Sequence, residues 1–249
     1  MHDPHGHEPA AGSAGRGARA VIVLGMHRSG TSCLAGSLQQ AGLHLGEVQE
    51  SNPHNRRGNR EKLEIMRLND AVLARSGGAW NQPPATLAWT PDDAAARDGI
   101  VASLERATDG AWGFKDPRTL LTLPFWRERL PAARLVGSFR HPAQVARSLH
   151  ARSGFAPEAA FALWTAYNAR LLREHARSPF PLVSFDRSPD EYRHRVEAIV
   201  AGLGLRGAPA GGAWFETALR SADDAEAFRA PDDALRLHDA LEQAAAHAG

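Results

Sequence analysis

A single cysteine, Cys33, excludes a disulfide framework and a structural zinc site built on paired thiolates. Charge of either sign is not in excess: 29 Lys and Arg stand against 28 Asp and Glu, a formal net charge of +1. Bulk charge therefore points to neither nucleic acid nor a membrane surface, and any anion site must be local. No apolar run nears the ~20 residues that a membrane helix needs. Residues 1–19, rich in His, Pro, Gly and Ala, lack the apolar core of a signal peptide. An integral membrane segment is not expected, and a cytoplasmic location follows by default. There is also no internal repeat.

What is present suits one α/β domain. The 249 residues are 43% apolar and 23% charged, ordinary for a chain that buries a single core. Residues 1–18 read as a disordered tail, 19–205 as the main domain, and 206–249 as a C-terminal helical extension packed on it. His2, His5 and His7 in the tail are expected to stay solvated, because a metal ion would have to order a flexible segment.

Ala20-Val-Ile-Val-Leu24 is continuously apolar and reads as a buried parallel strand. Thr31 to Gln40 reads as a helix stopped at Gly42, and roughly Arg60 to Ala74 as another. Thr90-Pro91-Asp92-Asp93 and Ser188-Pro189-Asp190-Glu191 are helix starts, each with a hydroxyl cap, a proline at the first position and acids in the first turn. Further strands are expected near Trp112–Phe114, at Arg134–Phe139 and at Pro181–Phe185. Helices are expected from Pro142, through Phe161, Trp164 and Leu171, and from Pro231. Strands alternating with helices imply a mostly parallel sheet flanked by helices.

Between the first strand and helix lies Gly25-Met-His-Arg-Ser-Gly-Thr-Ser32, the skeleton of a phosphate-binding loop. Two glycines let the backbone curl so that its N–H groups point inward, and the helix N-terminus adds its positive dipole end. A nucleotide triphosphatase needs Lys directly after the second glycine. Thr31 stands there, and the only cation in the loop is Arg28.

Here the chain resembles the P-loop sulfotransferase superfamily, whose 5′-phosphosulfate loop commonly reads Arg/Lys-Ser-Gly-Thr-Ser/Thr, as Arg28 to Ser32 do. That family's 3′-phosphate element is an Arg at a strand end with a Ser eight residues on, matched by Arg140 and Ser148. Gly113-Phe-Lys-Asp-Pro-Arg118, and Asn52-Pro53 followed by Gly58-Asn-Arg-Glu61 and Leu68-Asn-Asp70, are similar to a bacterial branch. The stretch departs from the usual pattern at Asn59 and Arg60, where aromatics are common. The likeness covers roughly residues 20–200.

The resemblance implies transfer of a sulfuryl group from 3′-phosphoadenosine 5′-phosphosulfate (PAPS) to a hydroxyl or amine. It assigns Arg28, Ser29, Gly30, Thr31, Ser32, Arg140 and Ser148 to the donor. Arg28 would stabilise the leaving phosphate, Lys115 the sulfuryl oxygens, and Glu61 would be the general base, with Glu50, Glu64 and His54 as alternatives. Sulfate carries less charge than phosphate, so no metal is expected. The acceptor is a small molecule, a glycan or a lipid, and the oligomeric state stays open. Two rivals remain at this point: a P-loop kinase and a non-catalytic nucleotide- or anion-binding module. Asp186, which follows a strand, is read as part of a helix start. His27 and His141 are read as loop-packing residues, and the basic cluster Arg56, Arg57, Arg60, Lys62 and Arg67 as a solvated face.

Overall fold

The computed structural model describes residues 19–50, 58–207 and 228–247. Four strands, β1 (Ala20–Leu24), β2 (Trp112–Lys115), β3 (Arg134–Phe139) and β4 (Leu182–Ser184), form one sheet in the order β2-β1-β3-β4. Every pairing is parallel. Along β1 the pleat sends Ala20, Ile22 and Leu24 into one apolar cluster and Val21 and Val23 into another. Both faces are covered, which is why the strand is apolar without alternation.

The helices are α1 (Thr31–Gln40), α2 (Leu63–Arg75), α3 (Pro91–Arg106), α4 (Thr119–Arg129), α5 (Pro142–Ser153), α6 (Pro157–Arg177), α7 (Pro189–Gly202) and α8 (Asp232–His247). Leu34 and Leu38 of α1 and Val196 and Ile199 of α7 cover the Val21 face. The other six helices supply the larger cluster, with Trp126, Trp164 and Tyr167 fully buried in it. α8 lies against α6, β4 and α5. Both expected helix starts form, and each is a capping box, Thr90 with Asp93 and Ser188 with Glu191.

β2 and β4 end within a residue of the expected strands, and the larger difference is at α2. α2 starts at Leu63, not near Arg60. Arg60 takes a left-handed backbone (φ 56°) and donates to the backbone oxygen of Gln49, so the chain turns before the helix begins. Among the described residues no helix is long and apolar enough to cross a membrane. Most of the expected Gly207–Gly212 connector, the Asn52-Pro53 motif, and His2, His5, His7, His54, Arg56 and Arg57 lie outside the described residues.

Candidate functional site

All four strands deliver site residues at the same edge of the sheet. β1 runs into the Gly25–Ser32 loop, β2 ends in Lys115, β3 is followed by Arg140, and β4 by Phe185 and Asp186. This is the carboxyl edge, where ligands bind in open parallel sheets. The central position of β1 places its loop between the other three contributions.

The loop needs both of its glycines. Gly25 has φ 143°, and a Cβ there would lie 2.3 Å from the backbone oxygen of Ser138. Gly30 has φ 81°, and its Cβ would lie 2.3 Å from the Phe185 ring. Arg28, although not a glycine, is also left-handed (φ 67°). The loop is pinned by Ser138 Oγ donating to the Ser29 backbone oxygen (2.6 Å) and by Ser32 Oγ donating to the Asn59 backbone oxygen (3.1 Å). Helix α1 begins at Gly30 with no side chain capping it, so its first-turn N–H groups face the loop. The buried Ser29 Oγ has no hydrogen-bond partner among the described residues.

The two motifs that the sequence resemblance singles out converge. Arg28 Nε donates to Ser148 Oγ at 2.7 Å, across 120 positions of sequence. Burial, then the charges of Arg152 and Arg140, pull the Arg28 guanidinium below its ordinary pKa, although an arginine stays charged at neutral pH. Arg140 is buried; its Nε is 3.6 Å from Asp186 Oδ1 and its guanidinium carbon is 5.4 Å from the centroid of the Phe185 ring. Asp186 also accepts from the His141 backbone N–H. Asp186 is therefore more than part of a helix start: it ties the Arg140 guanidinium to the adjoining backbone. His141 caps α5, its Nδ1 accepting from Ala143 N–H at 3.3 Å, and its ring stacks edge-on against His238 of α8, 5.0 Å between centroids.

On the other side of the loop, Lys115 Nζ donates to Glu61 Oε1 at 2.6 Å, with both side chains buried. Glu61 lies two residues before α2 and is neither solvated nor helical. Within the basic cluster, Arg67 is exposed as expected, Arg60 pairs with Glu50 and Lys62 with Glu64, both at 2.9 Å. Among the alternatives to Glu61, those two acids are thus engaged with local cations. Next to Lys115, the Asp116 carboxylate accepts from Arg118 backbone N–H at 2.8 Å and pairs with its guanidinium, which also reaches Asp70. Burial pushes the Asp116 pKa up; Arg118 opposes this and the Glu61 charge adds to it.

His27 stacks on Trp80 at 4.6 Å and meets Tyr167 edge-on at 6.2 Å. Burial, followed by the charges of Arg118, Lys115, Arg152 and Arg28, holds its pKa well below the usual histidine value. It is a neutral imidazole inside a ring of cations. Loop packing, as expected, describes its contacts.

With this geometry in place, comparison with known proteins is informative. The model of the sulfotransferase family matches residues 20–207. The chain belongs to the sulfotransferase family. The match takes in every strand and all the residues above except His238, and it stops before α8. Among solved structures, this family member is similar to the sulfotransferase domain of the olefin synthase of Synechococcus PCC 7002. The TM-score is 0.54 at 18% identity, with 90% of this chain and 93% of that one covered. That likeness is one of fold. No curated protein sequence matches the chain.

Sequence reasoning passed over Ser138, Asn59 and Phe185 and gave Asp186 another role. Each acts through a backbone or ring contact with a motif residue. The only signal was position: Ser138, Phe185 and Asp186 lie at or just after strand ends.

Proposed function

We propose that this sulfotransferase-family chain moves a sulfuryl group from PAPS to a hydroxyl or amine of a small-molecule, glycan or lipid acceptor. The observation that carries the reading is the convergence of Arg28 and Ser148 at 2.7 Å beside Arg140 and the α1 N-terminus. The loop fits an oxyanion on its own terms: a buried, unpartnered Ser29 hydroxyl, an uncapped helix start and a backbone that only glycine tolerates at Gly30.

PAPS would supply the activated sulfur–oxygen bond. Arg28, Ser29, Gly30, Thr31 and Ser32 would hold its 5′-phosphosulfate, and Arg140 and Ser148 its 3′-phosphate. In the in-line displacement the acceptor oxygen or nitrogen bonds to sulfur while the sulfur–oxygen bond to the phosphate breaks and its electron pair leaves with that oxygen. Arg28 and the loop N–H groups stabilise the developing charge. Glu61, held in place by Lys115, would take the acceptor's proton, and Lys115 would stabilise charge on the sulfuryl oxygens. These charge stabilisers come from the protein, so the reaction needs no metal and proceeds in chelator.

A kinase reading loses its strongest residue, because Asp186 is engaged with Arg140 and the His141 N–H. We also propose a cytoplasmic location. The test is an acceptor screen with sulfur-35-labelled PAPS. Label should pass to at least one hydroxyl or amine acceptor with release of adenosine 3′,5′-bisphosphate; transfer of phosphorus-32 from labelled ATP instead would overturn the reading.

A further inference from the structure

The two halves of the buried ion pair stand just ahead of two helices. Glu61 precedes α2 by two positions, and Lys115 precedes α4 by four. How α2 lies on α4 therefore sets how Glu61 meets Lys115. Asn69, in the middle of α2, joins the two helices. Its Nδ2 donates to Thr119 Oγ1 at 3.1 Å, and its Oδ1 accepts from Thr122 Oγ1 at 2.7 Å and from Trp126 Nε1 at 2.8 Å. Thr119, Thr122 and Trp126 are spaced three and four positions apart on α4, so they share one face of it. All four side chains are fully buried.

The partners fix the orientation of the amide. An indole N–H can only donate, so Oδ1 faces Trp126 and Nδ2 faces Thr119. Hydrogen bonds hold only over a narrow range of distance and angle. Three of them on one planar amide fix both the slide and the roll of α2 against α4. Apolar side chains of the same shape would hold the helices together about as well, but apolar attraction has no direction and would leave that register loose. The next residue adds a second tie, Asp70 Oδ1 accepting from Arg118 Nε at 2.7 Å. Asp70 is half-exposed, and ion pairs open to water are weak.

We propose that Asn69 is a positioning residue: through Thr119, Thr122 and Trp126 it sets the register of α2 on α4 and so holds Glu61 against Lys115. Its effect on turnover rests on the sulfotransferase reading; its effect on the ion pair does not. The ordinary role of a buried, hydrogen-bonded asparagine is stability alone. Asn168 of α6 supplies the comparison: it is equally buried, but its Nδ2 donates to the Trp164 backbone oxygen at 2.9 Å, within its own helix.

Acceptor turnover and Lys115 reactivity, measured well below each variant's melting temperature, separate the two roles. Asn69→Leu should lower kcat about tenfold to a hundredfold, the size expected when a reacting group is displaced by ~1 Å. Affinity for adenosine 3′,5′-bisphosphate should stay within about twofold. Lys62 and Lys115 are the only lysines of the chain, and acetic anhydride should label Lys115 faster in Asn69→Leu than in wild type. Trp126→Phe removes one of the three hydrogen bonds and keeps a ring in place. It should show both effects at a smaller size, about threefold, and it decides the matter if Asn69→Leu does not fold. Asn168→Leu should lose stability yet match wild type in kcat and in labelling. Wild-type kcat and labelling in the Asn69 and Trp126 variants, or equal losses in Asn168→Leu, would overturn the proposal. If wild type transfers no sulfuryl group, the sulfotransferase reading fails, and Lys115 labelling alone still decides whether Asn69 holds the pair.

Discussion

The two sides of the site are built differently. On the proposed donor side, eight consecutive residues, Gly25 to Ser32, form the loop that we propose holds the donor's anionic groups, and their shape is fixed by backbone conformation. On the acceptor side the central feature is a buried ion pair between residues 54 positions apart, Glu61 and Lys115. The first needs only a strand, two glycines and a helix start. The second exists only when the segment before α2 is brought against the end of β2. Function on the donor side should therefore be sensitive to backbone changes, and on the acceptor side to the loss of a single functional group.

The largest expected effect tests the acceptor side. Glu61→Gln keeps size and hydrogen bonding but removes basicity, and should lower turnover by ~10²–10⁴ with affinity for adenosine 3′,5′-bisphosphate nearly intact. The acceptor should be one whose hydroxyl has a high pKa, because an acidic phenol can react without a base. Normal turnover in Glu61→Gln but not in Glu50→Gln or Glu64→Gln would move the base elsewhere in the same segment. If none of the three acids matters, His54 is next.

A change of donor-side charge should act on binding, not on chemistry. Arg140→Ala should weaken adenosine 3′,5′-bisphosphate about tenfold to a hundredfold, in line with a charge-assisted contact, and barely change binding of adenosine 5′-phosphate. Equal losses for the two ligands would erase the division between 3′ and 5′ subsites. Asp186→Asn, which loosens Arg140 without removing it, should give the same selectivity loss at a smaller size, about threefold to tenfold.

A backbone change on the donor side should cost stability as well. Gly30→Ala adds a Cβ that meets the Phe185 ring at 2.3 Å in a φ 81° conformation. The left-handed conformation alone costs ~1–2 kcal/mol for a residue with a Cβ, and Phe185 must also move from beneath Arg140. Denaturant unfolding should show the loss. Unchanged stability would mean that the loop is less rigid than its contacts imply.

The smallest effect is a pH dependence in the same loop. His27 has a folded-state pKa well below the unfolded value, which is ~6.5. The unfolded chain therefore binds the proton first, and the stability contributed by neutral His27 is present above ~6.5 and lost as pH falls below it. Proton NMR should show the His27 ring untitrated where exposed histidines titrate, and His27→Gln should reduce the drop in stability between pH 7 and pH 5. A His27 resonance that titrates normally would remove the ring of cations from the account.

The donor side was legible because its information is local. β1, the loop and α1 were bounded within a residue or so by an apolar run, two glycines and a helical stripe. Arg140, just after β3, and Ser148 on α5 were singled out by resemblance to the family's strand-end Arg with a Ser eight residues on. What escaped was tertiary. α4 has Leu120, Leu121, Leu123, Phe125 and Trp126 all buried, so it shows no amphipathic stripe to mark its extent. Glu61 was singled out by resemblance to the family, but its engagement with Lys115 was not foreseen, since nothing in either segment announces the other. Asp186 does precede a helix start, capped by Ser188 two residues on, but its contact with Arg140 is tertiary and had no local signal.

The central claim is that the donor site recognises a nucleotide by its 3′-phosphate, and a thermal-shift comparison on the wild-type chain tests it most directly. Adenosine 3′,5′-bisphosphate should raise the melting temperature clearly at concentrations where ATP with magnesium does little, because only the former offers a phosphate to Arg140 and Ser148. A larger shift with ATP and magnesium, or equal shifts with both, would contradict the account.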